Sequence, residues 1–286
     1  MKPTRAADGR RSGGYPPAPE PLPRPAIDSH CHLDIHDGDE WLEVADAIDA
    51  AAAVGVTRIV QVGCDPAGAR WAVEAAERHP ALVAAVGLHP NEAPRLAAAG
   101  RLADELAGIE TLLDHPRVRA VGETGLDRFR TGDAGWEVQE ESFRAHIRMA
   151  REHDLALVIH DRDAHSEVLE VLDRVGAPET VVMHCFSGDA AFARECVARG
   201  FVLSFAGVVT FANAEPLRDA LRITPLDRIL VETDAPYLTP SPFRGRPNAS
   251  YLIPLTLRGM ADTLDLPVAD LAAAVSATSD RVFGPW

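Results

Sequence analysis

The octapeptide IDSHCHLD, residues 27–34, sets His30 and His32 two positions apart with acids on both sides. Residues i and i+2 of an extended strand point to the same side, so the two imidazoles can act as a chelate while Cys31 faces away. The same residue types recur where later apolar runs end: Glu123 and Asp127 in GETGLD, His160 in ALVIHDR, His184 in TVVMHCFSG, and Glu232 and Asp234 in RILVETDAPYL. If those ends share one face, His30, His32, Glu123, His160, His184 and Asp234 offer four nitrogen donors and two carboxylates. Six donors exceed one four-coordinate ion with an open position and suit two divalent ions bridged by a carboxylate and a water, the arrangement of metal-assisted hydrolysis. Singly, such a residue is more often a hydrogen-bonded core group. Their joint appearance favours metal, because buried acids and histidines need partners.

Positioning them is the task of eight short runs rich in Val, Ile and Ala, at 26–34, 58–64, 82–90, 118–127, 156–162, 180–188, 201–210 and 228–238. Such runs read as strands buried on both faces. Stretches of helical period separate them, near 39–54, 66–78, 92–113, 135–153, 163–175, 189–199 and 213–222, with two more helices after the last strand. Eight βα units predict an α/β fold, a (β/α)8 TIM barrel of metal-dependent hydrolase type, whose reactive residues sit at the C-terminal ends of the strands. An open doubly wound sheet is the alternative, but no GxGxxG follows the first strand.

Of 286 residues, 47% are hydrophobic and 6% aromatic, which suits one large soluble domain over 26–286. Residues 1–25 hold seven prolines and three glycines and predict a disordered tail without packed contacts. Lys2, Arg5, Arg10, Arg11 and Arg24 against Asp8 and Glu20 give this segment +3; the whole chain carries −15, so the remainder carries −18. So acidic a body repels polyanions at long range and argues against a broad duplex-binding face, though not against a local cationic or metal-lined pocket. Cys31, Cys64, Cys185 and Cys196 form no CxxC pair, which predicts neither a zinc ribbon nor a disulfide framework and fits a reducing cytoplasm. No run approaches a membrane span, and neither a membrane nor an obligate protein partner is expected.

Together IDSHCHLD, GLHP (87–90), GETGLD (122–127), IHDRDA (159–164), HCFSG (184–188), SFAGVVTF (204–211) and ETDAPYLTP (232–240) resemble the TatD-type metal-dependent deoxyribonucleases of the amidohydrolase-like barrels. The resemblance runs over 26–286, with its motifs in the family's order. It implies a binuclear site with His30, His32, Glu123 and Asp234 on one ion, Glu123, His160 and His184 on the other, and Glu123 bridging. Two departures touch substrate contacts rather than ligands: GLDRF puts Arg128 where the family often has an aromatic residue, and Asn248-Ala249-Ser250 stands where it often has NEP.

The expected function is hydrolysis of phosphodiesters with two divalent ions per chain, as a 3′→5′ exonuclease on single-stranded DNA with a place in DNA repair or degradation. Several imidazoles favour Zn²⁺ or Mn²⁺, whereas the resemblance implies activity with Mg²⁺. Asp234 is the expected general base, with Glu123 holding the metals. Arg162 is expected to clamp a phosphate, or else to pair with Asp161 or Asp163, and His89 to contact substrate or support a ligand, or else only to cap its strand end. His36, Asp127 and Tyr237 are expected at the rim. Related chemistry leaves two alternatives: a hydrolase of amide, ester or lactone bonds, and a noncatalytic metal-binding partner protein.

Overall fold

A computed structural model describes residues 5–6, 13–38, 42–131 and 133–286. Eight parallel strands follow one another around a barrel: β1 (Ala26–Cys31), β2 (Val56–Gly63), β3 (Leu82–Val86), β4 (Val118–Asp127), β5 (Ala156–Arg162), β6 (Val181–Met183), β7 (Val202–Phe205) and β8 (Ile229–Val231). Each pairs with its sequence neighbour. The ring closes between β1 and the end of β8, where His32 N–H donates to Ala235 O (2.8 Å) and Asp234 N–H to His30 O (2.9 Å). The TIM barrel expected from the alternation is thus present.

Period-two patterning divides the core. Val60, Val62, Val83, Ala85, Val158, Val182, Val202 and Leu230 fill the barrel interior, which Phe283 and Val282 of the last helix plug from below. Residues of the opposite parity, such as Ile59, Val86, Val121, Leu157 and Ile159, meet the surrounding helices. Those helices start where the sequence provides capping: Asp65 accepts from Gly68 N–H (2.7 Å) ahead of Pro66–Arg78, and Asp189 accepts from Phe192 N–H (2.9 Å) ahead of Ala190–Ala198. The helix expected over 92–113 is two, Glu92–Ala98 and Leu102–Glu110, because Gly100 turns at a φ of +68° between them.

The reading of residues 1–25 as a contact-free tail needs correction. Most of 1–12 lies outside the described residues, but 13–25 runs along the barrel, tied down by its main-chain carbonyls. Arg246 donates to Gly14 O and Tyr15 O, Tyr251 Oη to Pro16 O (2.6 Å), Arg258 to Glu20 O (2.8 Å) and Ser276 Oγ to Pro25 O (3.0 Å), while Leu22 is buried and its N–H reaches Val54 O (2.9 Å). A proline-rich strand has few N–H groups to satisfy and all its carbonyls to offer, so arginine and hydroxyl donors on the barrel can hold it without a sheet. Deleting 1–25 is therefore expected to lower the melting temperature by at least about 5 °C, from one lost leucine burial and several hydrogen bonds. Thermal unfolding of the truncated and full chains checks this; equal midpoints would show that the strap adds nothing.

Candidate active site

The expected residues meet at the C-terminal mouth. His30 and His32, on and just past β1, bring their Nε2 atoms to 3.2 Å. Two nitrogens bound to one first-row ion at about 2.0–2.1 Å and near-tetrahedral or smaller angles stand roughly 3.0–3.4 Å apart, so this spacing fits a shared ion. Glu123 rises between them on β4, flanked by glycines for a steric reason: a Cβ at Gly122 would run into Val158 O, and one at Gly125 into His160 O.

Glu123 turns its two oxygens to different histidines. Oε2 lies 3.4 Å from His30 Nε2 and 3.8 Å from His32 Nε2. Oε1 lies 2.8 Å from His160 Nδ1 and 3.5 Å from both His184 Nε2 and His89 Nε2. Asp234 Oδ1 completes the group at 3.3 Å from His32 Nε2, 3.8 Å from His30 Nε2 and 3.9 Å from His184 Nε2.

Proton positions on the imidazoles separate donors for a metal from donors for substrate. A ligating imidazole holds its second nitrogen's proton in a hydrogen bond, which leaves the first lone pair free. His32 Nδ1 faces Val62 O at 3.0 Å and His184 Nδ1 lies 2.8 Å from Glu232 Oε1, so both rings turn Nε2 to the centre. His160 has Asp127 Oδ2 3.3 Å from its Nε2, leaving Nδ1 towards Glu123. His89 is the reverse case: its Nδ1 accepts from Asn91 N–H (3.1 Å), so the proton sits on Nε2 and points inward. It approaches Glu123 and His160 as closely as a ligand would, yet its tautomer makes it a hydrogen-bond donor.

The electrostatics agree with this division. Burial would depress His160, but Asp127 and Glu123 outweigh it and raise its pKa to about 9. His184 is likewise raised against its burial by Glu232 and Glu123, and His32 by its neighbours Cys64 and Asp234. Burial together with the nearby His160 lowers His89 to about 3, so it stays neutral. A field that draws protons onto three imidazoles also suits divalent cations, which would displace those protons. The donor set therefore fits divalent metal.

The match to a family model, TatD related DNase, covers residues 27–284. The chain belongs to this family. An uncharacterised metal-dependent hydrolase named TatD from Mycobacterium tuberculosis is 43% identical over 90% of this chain and 97% of its own length, and YabD of Bacillus subtilis is 38% identical over 90% and 98%. The crystal structure of YjjV, a TatD homologue from Escherichia coli, superposes with a TM-score of 0.80 at 28% identity, covering 91% of this chain and 98% of that one. This TatD-family barrel is accordingly a metal-dependent hydrolase, and residues 1–26 lie outside the matched span.

Several functional contacts of this TatD-family chain escape the sequence. Glu232 stands out only as one more acid at a strand end, yet it orients His184; Asp127, expected at the rim, is buried against His160 and receives Asn91 Nδ2 (3.1 Å). Cys64, just past β2, places its thiol 3.3 Å from Glu123 Oε2. Arg162 pairs with neither Asp161 nor Asp163; its guanidinium lies over the Phe129 ring.

His146, in the helix Trp136–Glu152, shows no motif at all. It is fully buried, with Nδ1–H donating to Ser142 O (2.7 Å) and Nε2 accepting from Leu88 N–H (3.0 Å), which fixes the GLHP turn ahead of His89. Burial lowers its pKa to about 4 from the ordinary 6.5. Since the unfolded chain takes up the proton first, this term is complete above pH 6.5 and is lost as pH falls towards 4, at a cost of about 3 kcal/mol. His146→Phe is expected to flatten that part of the acid-stability profile in denaturant titrations; an unchanged slope would remove His146 from the account.

Proposed function

We propose that the chain is a phosphodiesterase with two divalent ions, Mg²⁺, Mn²⁺ or Zn²⁺, that trims single-stranded DNA from its 3′ end. His30, His32, Glu123 and Asp234 hold one ion, and Glu123, His160 and His184 the other. The observation that carries this reading is Glu123, whose two oxygens face separate histidine groups as a bridging carboxylate's would. When bound, the ions supply a water of lowered pKa and offset charge on the phosphoryl oxygens.

The protein's own groups do the rest. Asp234 has 14% of its side chain exposed, against 4% for Glu123 and 1% for Asp127 and Glu232, so it is the carboxylate that incoming water and substrate meet. It takes the proton of the attacking water and returns it to the leaving 3′ oxygen. His89, neutral and protonated on Nε2, offers a hydrogen bond to a phosphoryl oxygen without competing for metal. Glu232 and Asp127 keep His184 and His160 in their working tautomers.

The test is a substrate panel with metal-reconstituted protein: single-stranded DNA labelled at either end, duplex DNA, RNA and small carboxylic esters. Expected are 3′-terminal mononucleotides released first and a 5′-labelled ladder that shortens progressively. Internal fragments at the outset would indicate endonuclease action. Ester hydrolysis without DNA cleavage under any of the three metals would replace this reading with a carbonyl hydrolase.

A further inference from the structure

Phe129 is one of two large hydrophobic side chains exposed among the described residues, at 65%. It lies in the single turn Arg128–Thr131 that follows β4, two positions past Asp127, whereas Arg162 ends β5 two positions past His160. The strand register pairs Asp127 with Arg162, and Asp127 Oδ2 meets His160 Nε2 at 3.3 Å, so both segments leave the site at one point of the rim. The Arg162 guanidinium carbon stands 3.8 Å from the Phe129 ring centroid, which covers part of the ring with a cation and leaves the rest open.

Neither side chain is spent on the fold. Arg162 has no ion pair among the described residues, although acids flank it in sequence: Asp161 is held by His165 Nδ1 (2.7 Å) and caps Ala164 N–H (3.3 Å). Arg128, the residue before Phe129, is committed instead, stacked 4.3 Å over Trp136 and bonded to Glu167 (2.5 Å). A guanidinium resting on an aromatic ring is held in one orientation with its N–H donors directed outward in its own plane.

We infer that Phe129 and Arg162 form a one-nucleotide clamp at the rim, in which a nucleobase stacks on the open part of the Phe129 ring while Arg162 grips the adjoining phosphate. The inference rests on the phosphodiesterase reading above and deepens it by naming what selects the strand. Stacking tolerates any base but needs its face uncovered, which a single strand provides and a duplex interior does not. It also supplies affinity that the acidic body, at −15 for the chain, cannot provide by long-range attraction.

Binding to the full chain is measured by fluorescence anisotropy in chelator, with a short thymidine oligonucleotide and with an abasic strand of equal length, and KM is measured on the metal-loaded enzyme. Phe129→Ala is expected to weaken thymidine-strand binding and raise KM by about tenfold or more, to weaken the abasic strand far less, and to be rescued by Phe129→Trp. Arg162→Ala is expected to weaken both strands and to remove about one phosphate's share, near 0.7, from the slope of log affinity against log salt. Wild-type behaviour of Phe129→Ala on DNA that the enzyme cleaves normally would overturn the clamp alone. Equal losses on both strands would make Phe129 structural and overturn it too. A wild-type protein that neither binds nor cleaves any DNA would remove the phosphodiesterase reading together with the clamp.

Discussion

Glu123→Ala is expected to yield a folded barrel that retains neither divalent ion after dialysis and hydrolyses substrate at least about 10³-fold more slowly. The reason lies in how many partners one side chain serves. Its oxygens stand within 3.8 Å of nitrogens from His30, His32, His89, His160 and His184, so removing it takes a donor from both halves of the centre. It also removes the carboxylate that helps raise His160 to about 9, and the imidazoles left behind repel one another more strongly once charged. The fold should survive, because the core strands pack through Val121 and Leu126 rather than through Glu123. Elemental analysis beside circular dichroism checks the prediction. A folded variant that still holds two ions would take the bridge out of the proposal.

Asp234→Asn is expected to behave differently: at least one ion stays, while hydrolysis falls by roughly two or more orders of magnitude. The amide keeps the size and one oxygen of the carboxylate but has no basic site for a proton. In the native chain Asp234 is held below the ordinary carboxylate range, since the hydrogen bond and charges of its histidine neighbours outweigh its burial, so it is ionised at neutral pH. Because the loss is one of proton transfer, kcat should fall more than KM rises. A variant with normal kcat would assign Asp234 to ligation alone.

Much of this was legible in residue order. The strands expected at 118–127 and 156–162 coincide with β4 and β5, because charged residues and glycines stop the apolar run where pairing stops. The strands expected at 180–188, 201–210 and 228–238 shorten to β6, β7 and β8. The ladder stops early in β6 and β8 because the backbone turns: Cys185 and Asp234 have φ of +44° and +55°. Those turns carry His184 and Asp234 off the strand and into the mouth. Less visible were the contacts made across the barrel. Glu232 with His184, Cys64 with Glu123 and His146 with Leu88 join residues 48, 59 and 58 positions apart, and no local period marks such pairs. For His146 the spacing only says that the residue sits on a helix. The tail misled for a related reason: prolines forbid a helix or a ladder, but leave carbonyls that arginines elsewhere can claim.

The seam between β1 and β8 sets an order of events. It is the one junction whose two sides are not neighbours in the chain: Thr233 Oγ1 and N–H bond Asp28 at 2.6 and 2.9 Å across 205 positions. Closing so long a loop carries the largest entropic penalty in the barrel, so the seam is expected to zip last in folding and part first under stress. His30 and His32 lie on one lip and Asp234 on the other. Partial opening therefore pulls the donors apart while the other strand pairs still hold, and on gentle heating the enzyme should fall silent before its circular dichroism begins to change.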